Sequence, residues 1–364
     1  MESYINLDKN MVVEKTVGNI DVVWRDVRKE PFVIHGFHEP KSEPYFHRVP
    51  FDVAEETSEN VARLERESVG GRVRFSTDSS YIAIRAKFKV VGRASHINLL
   101  SSAGFDLYTD GEFGSRFIKE FRMPYDMVDY YENVIRLEAG IMRTFTINFP
   151  IHSVVETLEV GLDPQARLEE PKVKYRDLDP IVIYGSSIVH GTAASRPGLA
   201  YPAMISRELN MDYRNIGFSG NAKGEVAMAN WLASLPMSVF VCDYDHNTPT
   251  DEHLENTHFR FYEIFREKNP DVPYIMISRP DFWTMPREQK NVLNRRDIIM
   301  KSYLKARERG DNHVYFIDGI SFFATTHQFD HTVDGCHPND TGFVRMADSI
   351  ACVIKYAIEK RLGL

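Results

Sequence analysis

Four short stretches hold most of the side chains in this sequence that could do covalent chemistry: "GSSI" at 185–188, "NIGFSGN" at 215–221, "DYDHN" at 243–247 and "DGCHPND" at 334–340. A serine hydroxyl is a weak nucleophile at its free pKa, so it needs a base within about 2.6–3.2 Å, and the base needs a third group to hold its tautomer. His337 can be that base. Asp334, three residues earlier, can accept a hydrogen bond from the other ring nitrogen and stabilise the imidazolium that forms on attack. Gly335 and Pro338 suit the turn that would hold the pair in shape. A tetrahedral intermediate also needs rigid donors for its oxyanion. The backbone N–H of Ser187, that of Gly220 and the side-chain amide of Asn247 stand in the loops where such donors are wanted. The pattern points to acyl transfer through a serine, with Ser186 and Ser187 both present in the first stretch.

Other readings of these residues are weaker. Ser219 in "GFSGN" has no base with evident access. The Gly-x-Ser-x-Gly elbow fails at both serine stretches, because Val189 and Asn221 occupy its last position. Cys336 adjoins His337, and neighbours on a tight turn point different ways, so packing suits it better than nucleophilic attack. His246, His253, His258, His327 and His331, with Asp245, Asp330 and Asp334, match no familiar ligand spacing. No metal and no organic cofactor is expected. Arg196 and Arg279, following the first and fourth strands of the second half, either contact substrate or pair with a carboxylate on the rim, and Tyr244 and Trp283 either form a wall for an apolar group or a sugar or belong to the core, as aromatics near a strand end more often do.

The elements that must position these residues fall into two rhythms. From about residue 20 to 165, "GRVRFSTDSSYIAIRAKFKVV", "FDLYTDGEF", "RTFTINFPI" and "VVETLEVGLD" alternate apolar and polar residues, and Asp110-Gly111 favours a tight hairpin. Many short strands predict an antiparallel β-sandwich or jelly roll over residues 1–170. After the linker "DPQARLEEPKVKYRDLDP", strand and helix alternate five times: "IVIYG", "DYRNIGFSG", "MSVFVCDYD", "VPYIMISRP" and "HVYFIDG" are the strands. Thr250 is the expected cap of the helix that stops at Asn269-Pro270, and Asp340 that of the closing helix. The expectation for residues 178–364 is a five-stranded parallel sheet in an α/β/α domain of flavodoxin-like order, with its ligand crevice at the carboxyl ends of the strands.

A length of 364 residues suits two domains, and 43% hydrophobic with 26% charged residues is the composition of a soluble globular protein. A net charge of −8 without a Lys/Arg run disfavours nucleic acid as a partner. No stretch is apolar enough for a signal segment or a membrane span, so a cytoplasmic location is expected. Three cysteines make no disulfide framework; Cys242 and Cys352 read as buried small apolar residues.

The four stretches, in this order and spacing, resemble the SGNH (GDSL-like) hydrolase family, and "GFDLY" at 104–108 resembles the N-terminal β domain of one esterase branch of it. The resemblance implies that Ser187 is the nucleophile, with Ser186 where the family has aspartate. Gly220 and Asn247 fall on the second and third family blocks, and Asp334 and His337 on the last. It further implies a serine esterase removing short acyl groups, acetyl above all, from small-molecule or oligosaccharide esters, or alternatively an acyltransferase that passes the acyl group to an alcohol. The N-terminal sandwich could shape the cleft or mediate self-association into a homo-oligomer.

Overall fold

A computed structural model of the protein describes residues 13, 16–41, 45–112 and 114–364. The opening residues of the predicted N-terminal domain and Phe113 of the predicted hairpin lie outside them.

Two antiparallel sheets form the first half. One has the order β1 (Val23–Asp26), β9 (Ser153–Leu162), β4 (Tyr81–Val91), β7 (Tyr130–Arg136). The other runs β10 (Leu168–Glu169), β3 (Arg72–Thr77), β8 (Arg143–Asn148), β5 (Phe105–Gly111), β6 (Gly114–Phe121), with β2 (Val33–His35) against β3. Alternate residues turn inward, as a two-residue period demands: Ile82, Ile84, Ala86 and Phe88 meet Val73, Phe75, Phe105, Leu107, Phe145 and Ile147 in one core. The stretch "GRVRFSTDSSYIAIRAKFKVV" supplies β3 to one sheet and β4 to the other, so its Ser/Asp turn is a corner of the sandwich. The β5–β6 hairpin pairs Gly111 with Gly114, placing the reversal just after Asp110-Gly111. The polar positions of β3 are also covered. Arg72 is buried and pairs with Asp212 of the second half, and Arg74 lies 3.0 Å from Asp110 and 4.0 Å above the Tyr175 ring. The predicted linker is pinned along this sheet, Lys172 N–H donating to Ser76 Oγ at 3.0 Å and Val173 N–H to Thr144 Oγ1 at 3.1 Å. Three short helices, α1 (Phe51–Thr57), α2 (Glu59–Leu64) and α3 (Leu99–Ala103), complete this half.

The second half is a parallel sheet of β11 (Ile181–Gly185), β12 (Tyr213–Gly217), β13 (Val239–Asp243), β14 (Tyr274–Ile277) and β15 (Val314–Ile317) in the order β12-β11-β13-β14-β15. Its inner strands β11 and β14 are apolar on both sides, because both faces are covered. Ile181 and Ile183 face α4 (Ser187–His190), α5 (Tyr201–Leu209) and α9 (Asp340–Leu362). Val182 and Tyr184 face α6 (Val226–Leu232), α7 (Asp251–Lys268) and α8 (Gln289–Glu308). Val49, Ala54, Val61 and Leu64 from around α1 and α2 enter that second core, so a piece of the N-terminal half packs with the parallel sheet. Fully buried Arg48 binds the join, donating to the carbonyls of Asn215 at 3.1 Å and Gly217 at 2.8 Å.

Thr250 caps α7 as expected, its Oγ1 accepting from His253 N–H at 3.1 Å. The cap of α9 is Asn339, not Asp340: Asn339 Oδ1 accepts from Gly342 N–H at 3.1 Å. Asp340 instead accepts from the Ser195 N–H and hydroxyl at 2.9 and 2.6 Å, a partner that only the tertiary fold supplies. Cys242 is buried as expected, whereas Cys352 is exposed on the outer face of α9. Among the described residues no helix is long and apolar enough to cross a membrane.

Candidate active site

The strand order reverses at β11, which has β12 on one side and β13 on the other, and the crevice of such a sheet opens at this point beyond the carboxyl ends. All four chemistry-bearing stretches converge there. β11 ends at Gly185, where a side chain would collide with the Asp243 carbonyl. Buried Ser186 then caps α4, its Oγ accepting from Ile188 N–H at 3.2 Å. Ser187 opens the helix half-buried. Its Oγ lies 2.9 Å from His337 Nε2, and His337 Nδ1 lies 2.7 Å from Asp334 Oδ2.

The loop that carries His337 is braced throughout. Asp334 Oδ1 accepts from the N–H of His337 at 2.8 Å and of Cys336 at 3.0 Å. Val333 N–H donates to the His337 carbonyl at 2.9 Å, and Gly335 holds φ +88°, which favours glycine. Thr284 Oγ1 donates to the Gly335 carbonyl at 2.9 Å. Burial works to raise the Asp334 carboxyl, but hydrogen bonds from the His337 ring and amide and from the Cys336 amide outweigh it and hold the group at about 2. Asp334 is therefore an anion at neutral pH.

Gly220 has φ +71° and open space around it, so its backbone conformation, rather than a crowded neighbour, calls for glycine. Among the described residues neither the Ser187 nor the Gly220 N–H donates a hydrogen bond within the protein. Asn247 Nδ2 donates to the Phe218 carbonyl at 2.9 Å, tying the third stretch to the second and leaving one amide proton over.

The four expected substrate contacts are placed elsewhere or inward. Tyr244 is 1% exposed, packs against Tyr184 and Phe261 and bonds to Thr257 at 2.9 Å, so it is core and offers no wall. Arg196 reaches across to the first half, lying 2.9 Å from Asp106 Oδ2, bonding to Tyr108 and covering the Phe117 ring at 3.8 Å. Arg279 is buried and grips Asp281 through two bonds of 2.7 and 2.5 Å. Trp283 is half-buried, its Nε1–H donating to the Ile320 carbonyl at 3.1 Å beside the turn that braces Gly335. In each case a polar partner in the fold takes the group: the buried carboxylates of Asp106 and Asp281 for the two arginines, and part-buried oxygens of Thr257 and Ile320 for Tyr244 and Trp283.

Other residues meet the site from unmarked positions. His96, on the exposed loop after β4, stacks on His337 with ring centroids 5.5 Å apart. Glu67, His152 and His190 cluster behind α4. None of these lies in a motif, and no signal in the sequence sets them apart. Asp106, the central residue of "GFDLY", is fully buried and accepts from Asn148 Nδ2, Arg196 Nη1 and Gly198 N–H at 2.7, 2.9 and 2.8 Å. That stretch therefore clamps the loop following α4.

Three groups among the described residues bring potential metal-ligand atoms within 4.8 Å of each other: Glu67, His152 and His190; His96, Asp334 and His337; His246, Asp281 and Cys336. Each has competing commitments. Asp334 is engaged by His337, and Asp281 by Arg279. His246 turns opposite ring edges to its neighbours, Nδ1 to Cys336 Sγ at 3.8 Å and Nε2 to Asp281 at 3.6 Å.

Residues 178–355 match the GDSL-like Lipase/Acylhydrolase family, and residues 22–168 match the N-terminus of Esterase_SGNH_hydro-type proteins, named for its GxDLY motif. No curated protein matches the sequence. Among solved structures, a GDSL-like lipase from Bacteroides ovatus is similar at 28% identity and a TM-score of 0.83, over 94% of this chain and 98% of that one. The salicylyl-acyltransferase SsfX3 of a tetracycline biosynthetic pathway shares the fold at 20% identity and a TM-score of 0.72, over 90% and 95% of the two chains. An acetyl xylan esterase from the rumen bacterium Butyrivibrio proteoclasticus shares it at 14% identity and a TM-score of 0.57, over 94% and 99%. With its five-stranded parallel sheet, its antiparallel N-terminal sheets and both family matches, the chain belongs to the GDSL-like (SGNH) hydrolase family, in the branch with a GxDLY N-terminal domain.

Proposed function

We propose that the protein is a serine esterase that hydrolyses short-chain acyl esters, acetyl esters of oligosaccharides above all. The observation that carries this reading is the unbroken line from Ser187 Oγ through both ring nitrogens of His337 to Asp334, at 2.9 and 2.7 Å. In the proposed reaction His337 Nε2 takes the Ser187 proton as Oγ bonds to the ester carbonyl carbon. The electron pair of the C=O bond moves onto oxygen, received by the N–H groups of Ser187 and Gly220 and the remaining Asn247 amide proton. Collapse breaks the bond to the alcohol, which leaves with the proton from His337. Water then attacks the acyl-enzyme, His337 again taking and returning the proton, and the carboxylic acid departs. Asp334 holds the ring with its proton on Nδ1 throughout.

The acetyl and carbohydrate assignments draw on the fold shared with an acetyl xylan esterase. The acyltransferase reading uses the same acyl-enzyme and draws on the fold shared with SsfX3; it differs only in whether water or an alcohol takes the acyl group. The test is hydrolysis of 4-nitrophenyl acetate and butyrate by wild type, Ser187→Ala and Ser186→Ala, followed by acetylated oligosaccharides with and without an added alcohol. Loss of turnover in Ser187→Ala alone, with acetate preferred, supports the esterase. Activity persisting in Ser187→Ala removes the nucleophile assignment, and acyl transfer dominating over hydrolysis replaces the esterase by the transferase.

A further inference from the structure

Behind the nucleophile helix lies a second cluster of ionisable groups, buried where the two halves meet. Glu67 follows α2, His152 precedes β9 and His190 closes α4. Glu67 Oε2 is 2.9 Å from His190 Nε2 and 3.5 Å from His152 Nδ1, and the two imidazoles stack 4.7 Å apart and within 7° of parallel. Every neighbour of the His190 ring accepts: Nδ1 is 3.0 Å from the Gly217 carbonyl, and Nε2 is 3.0 Å from the Ile151 carbonyl as well as beside Glu67. Two backbone carbonyls thus hold the ring edge-on, and the Glu67 carboxylate closes on the nitrogen nearer the first half. On the other side, His152 Nε2 lies 3.2 Å from Thr192 Oγ1, which lies 3.4 Å from the hydroxyl of Ser219, the residue before Gly220.

Burial works to raise the Glu67 carboxyl, but its close approach to His152 and His190 outweighs this and holds it well below the usual carboxylate range. Burial pushes His152 down to about 4. A metal suits the cluster poorly, because lone pairs in the planes of two parallel rings do not converge and carbonyls already occupy both His190 nitrogens.

We propose that Glu67 is a positioning residue: through His190 it fixes the helix that begins at Ser187, and through His152 and Thr192 it fixes the loop that carries Gly220. The N-terminal half is then a working part of the active site. The inference rests on Ser187 being the nucleophile. Nucleophile and oxyanion donors act together only in a narrow geometry, and displacements of an ångström cost on the order of 100-fold in rate.

The test uses the full chain with 4-nitrophenyl acetate, rates being expressed per folded molecule from near-UV circular dichroism. Glu67→Gln is expected to lower kcat roughly 10- to 100-fold with KM within about twofold, since ground-state binding is untouched. A merely structural role would lower the folded fraction and leave kcat per folded molecule unchanged. Because Glu67 and His190 act as a unit, the Glu67→Gln/His190→Gln pair should be no slower than the worse single variant, a coupling additive effects would contradict. Should Glu67→Gln not fold, Thr192→Val breaks the link to Ser219 without touching a charge. Its kcat is then expected to fall about threefold or more. Folded Glu67→Gln with wild-type kcat, or in its place Thr192→Val with wild-type kcat, overturns the inference while an inactive Ser187→Ala leaves the esterase standing. Full activity in Ser187→Ala removes both.

Discussion

Replacing Asp334 by asparagine should trap His337 in its unproductive tautomer. Asp334 Oδ1 accepts the N–H of His337 at 2.8 Å and of Cys336 at 3.0 Å, so an asparagine keeps its oxygen there. Its NH2 group then faces His337 Nδ1 across the 2.7 Å contact and donates to it. The ring proton moves to Nε2, which points at Ser187 Oγ 2.9 Å away and can no longer accept the hydroxyl proton. Recovering the working tautomer requires flipping the amide and forfeiting both backbone contacts, at roughly 1–3 kcal/mol each. The sum, about 2–6 kcal/mol, corresponds to a kcat lowered some 30- to 25,000-fold. Folding is expected to be preserved, because the loop contacts survive the exchange. The assay is steady-state hydrolysis of 4-nitrophenyl acetate alongside thermal unfolding. An Asp334→Asn protein that unfolds like wild type yet keeps a third or more of its kcat would refute the tautomer argument.

Two further outcomes follow from buried carboxylates. Asp106→Ala leaves the Arg196 cation and the Asn148 amide without their acceptor and should cost roughly 3–5 kcal/mol in urea unfolding; a loss below about 1 kcal/mol would show that "GFDLY" does not clamp the two halves. Burial, reinforced by the neighbouring charge of Asp245, raises Asp243 to about 8, while burial holds Asp245 at about 6. Between those values the folded state keeps the Asp243 proton that the unfolded chain has lost, so stability falls as pH rises, by at most about 1.4 kcal/mol per unit. Asp243→Asn should flatten this decline in urea midpoints measured from pH 6 to 8, and an unchanged slope would place the titration elsewhere.

Much of the fold was legible because short-range rules agree with it. β11 is continuously apolar and both its faces are buried, while β4 alternates and faces the sandwich core. Thr250 caps its helix as its position before "DEHL" indicates. Where local rules offered equivalent choices the outcome went to tertiary partners. Asn339 and Asp340 are both competent caps, and Ser195 drew Asp340 away. Tyr244 follows a strand end that lines the crevice, yet its ring turns into the core among Tyr184 and Phe261, because a side chain's face depends on where the strand stops. Arg196 and Arg279 were legible as arginines near the crevice that either meet substrate or pair with a carboxylate; Asp281 stands two residues from Arg279, whereas Asp106, 90 residues from Arg196, is brought to it only by the fold.

The sequence by itself determined the two rhythms, the parallel order of the second half, and the identities and spacing of Ser187, Gly220, Asn247, Asp334 and His337. Periodicity and turn chemistry are local, and so are readable along the chain. Tertiary structure alone decided what surrounds them: the 2.9 Å approach of Ser187 to a histidine 150 residues away, the bracing of the His337 loop by Thr284, the stacking of His96 on His337, and the buried Glu67–His190 pair. Each joins groups far apart in sequence, and no local rule along the chain says which of them meet; the fold alone brings them together.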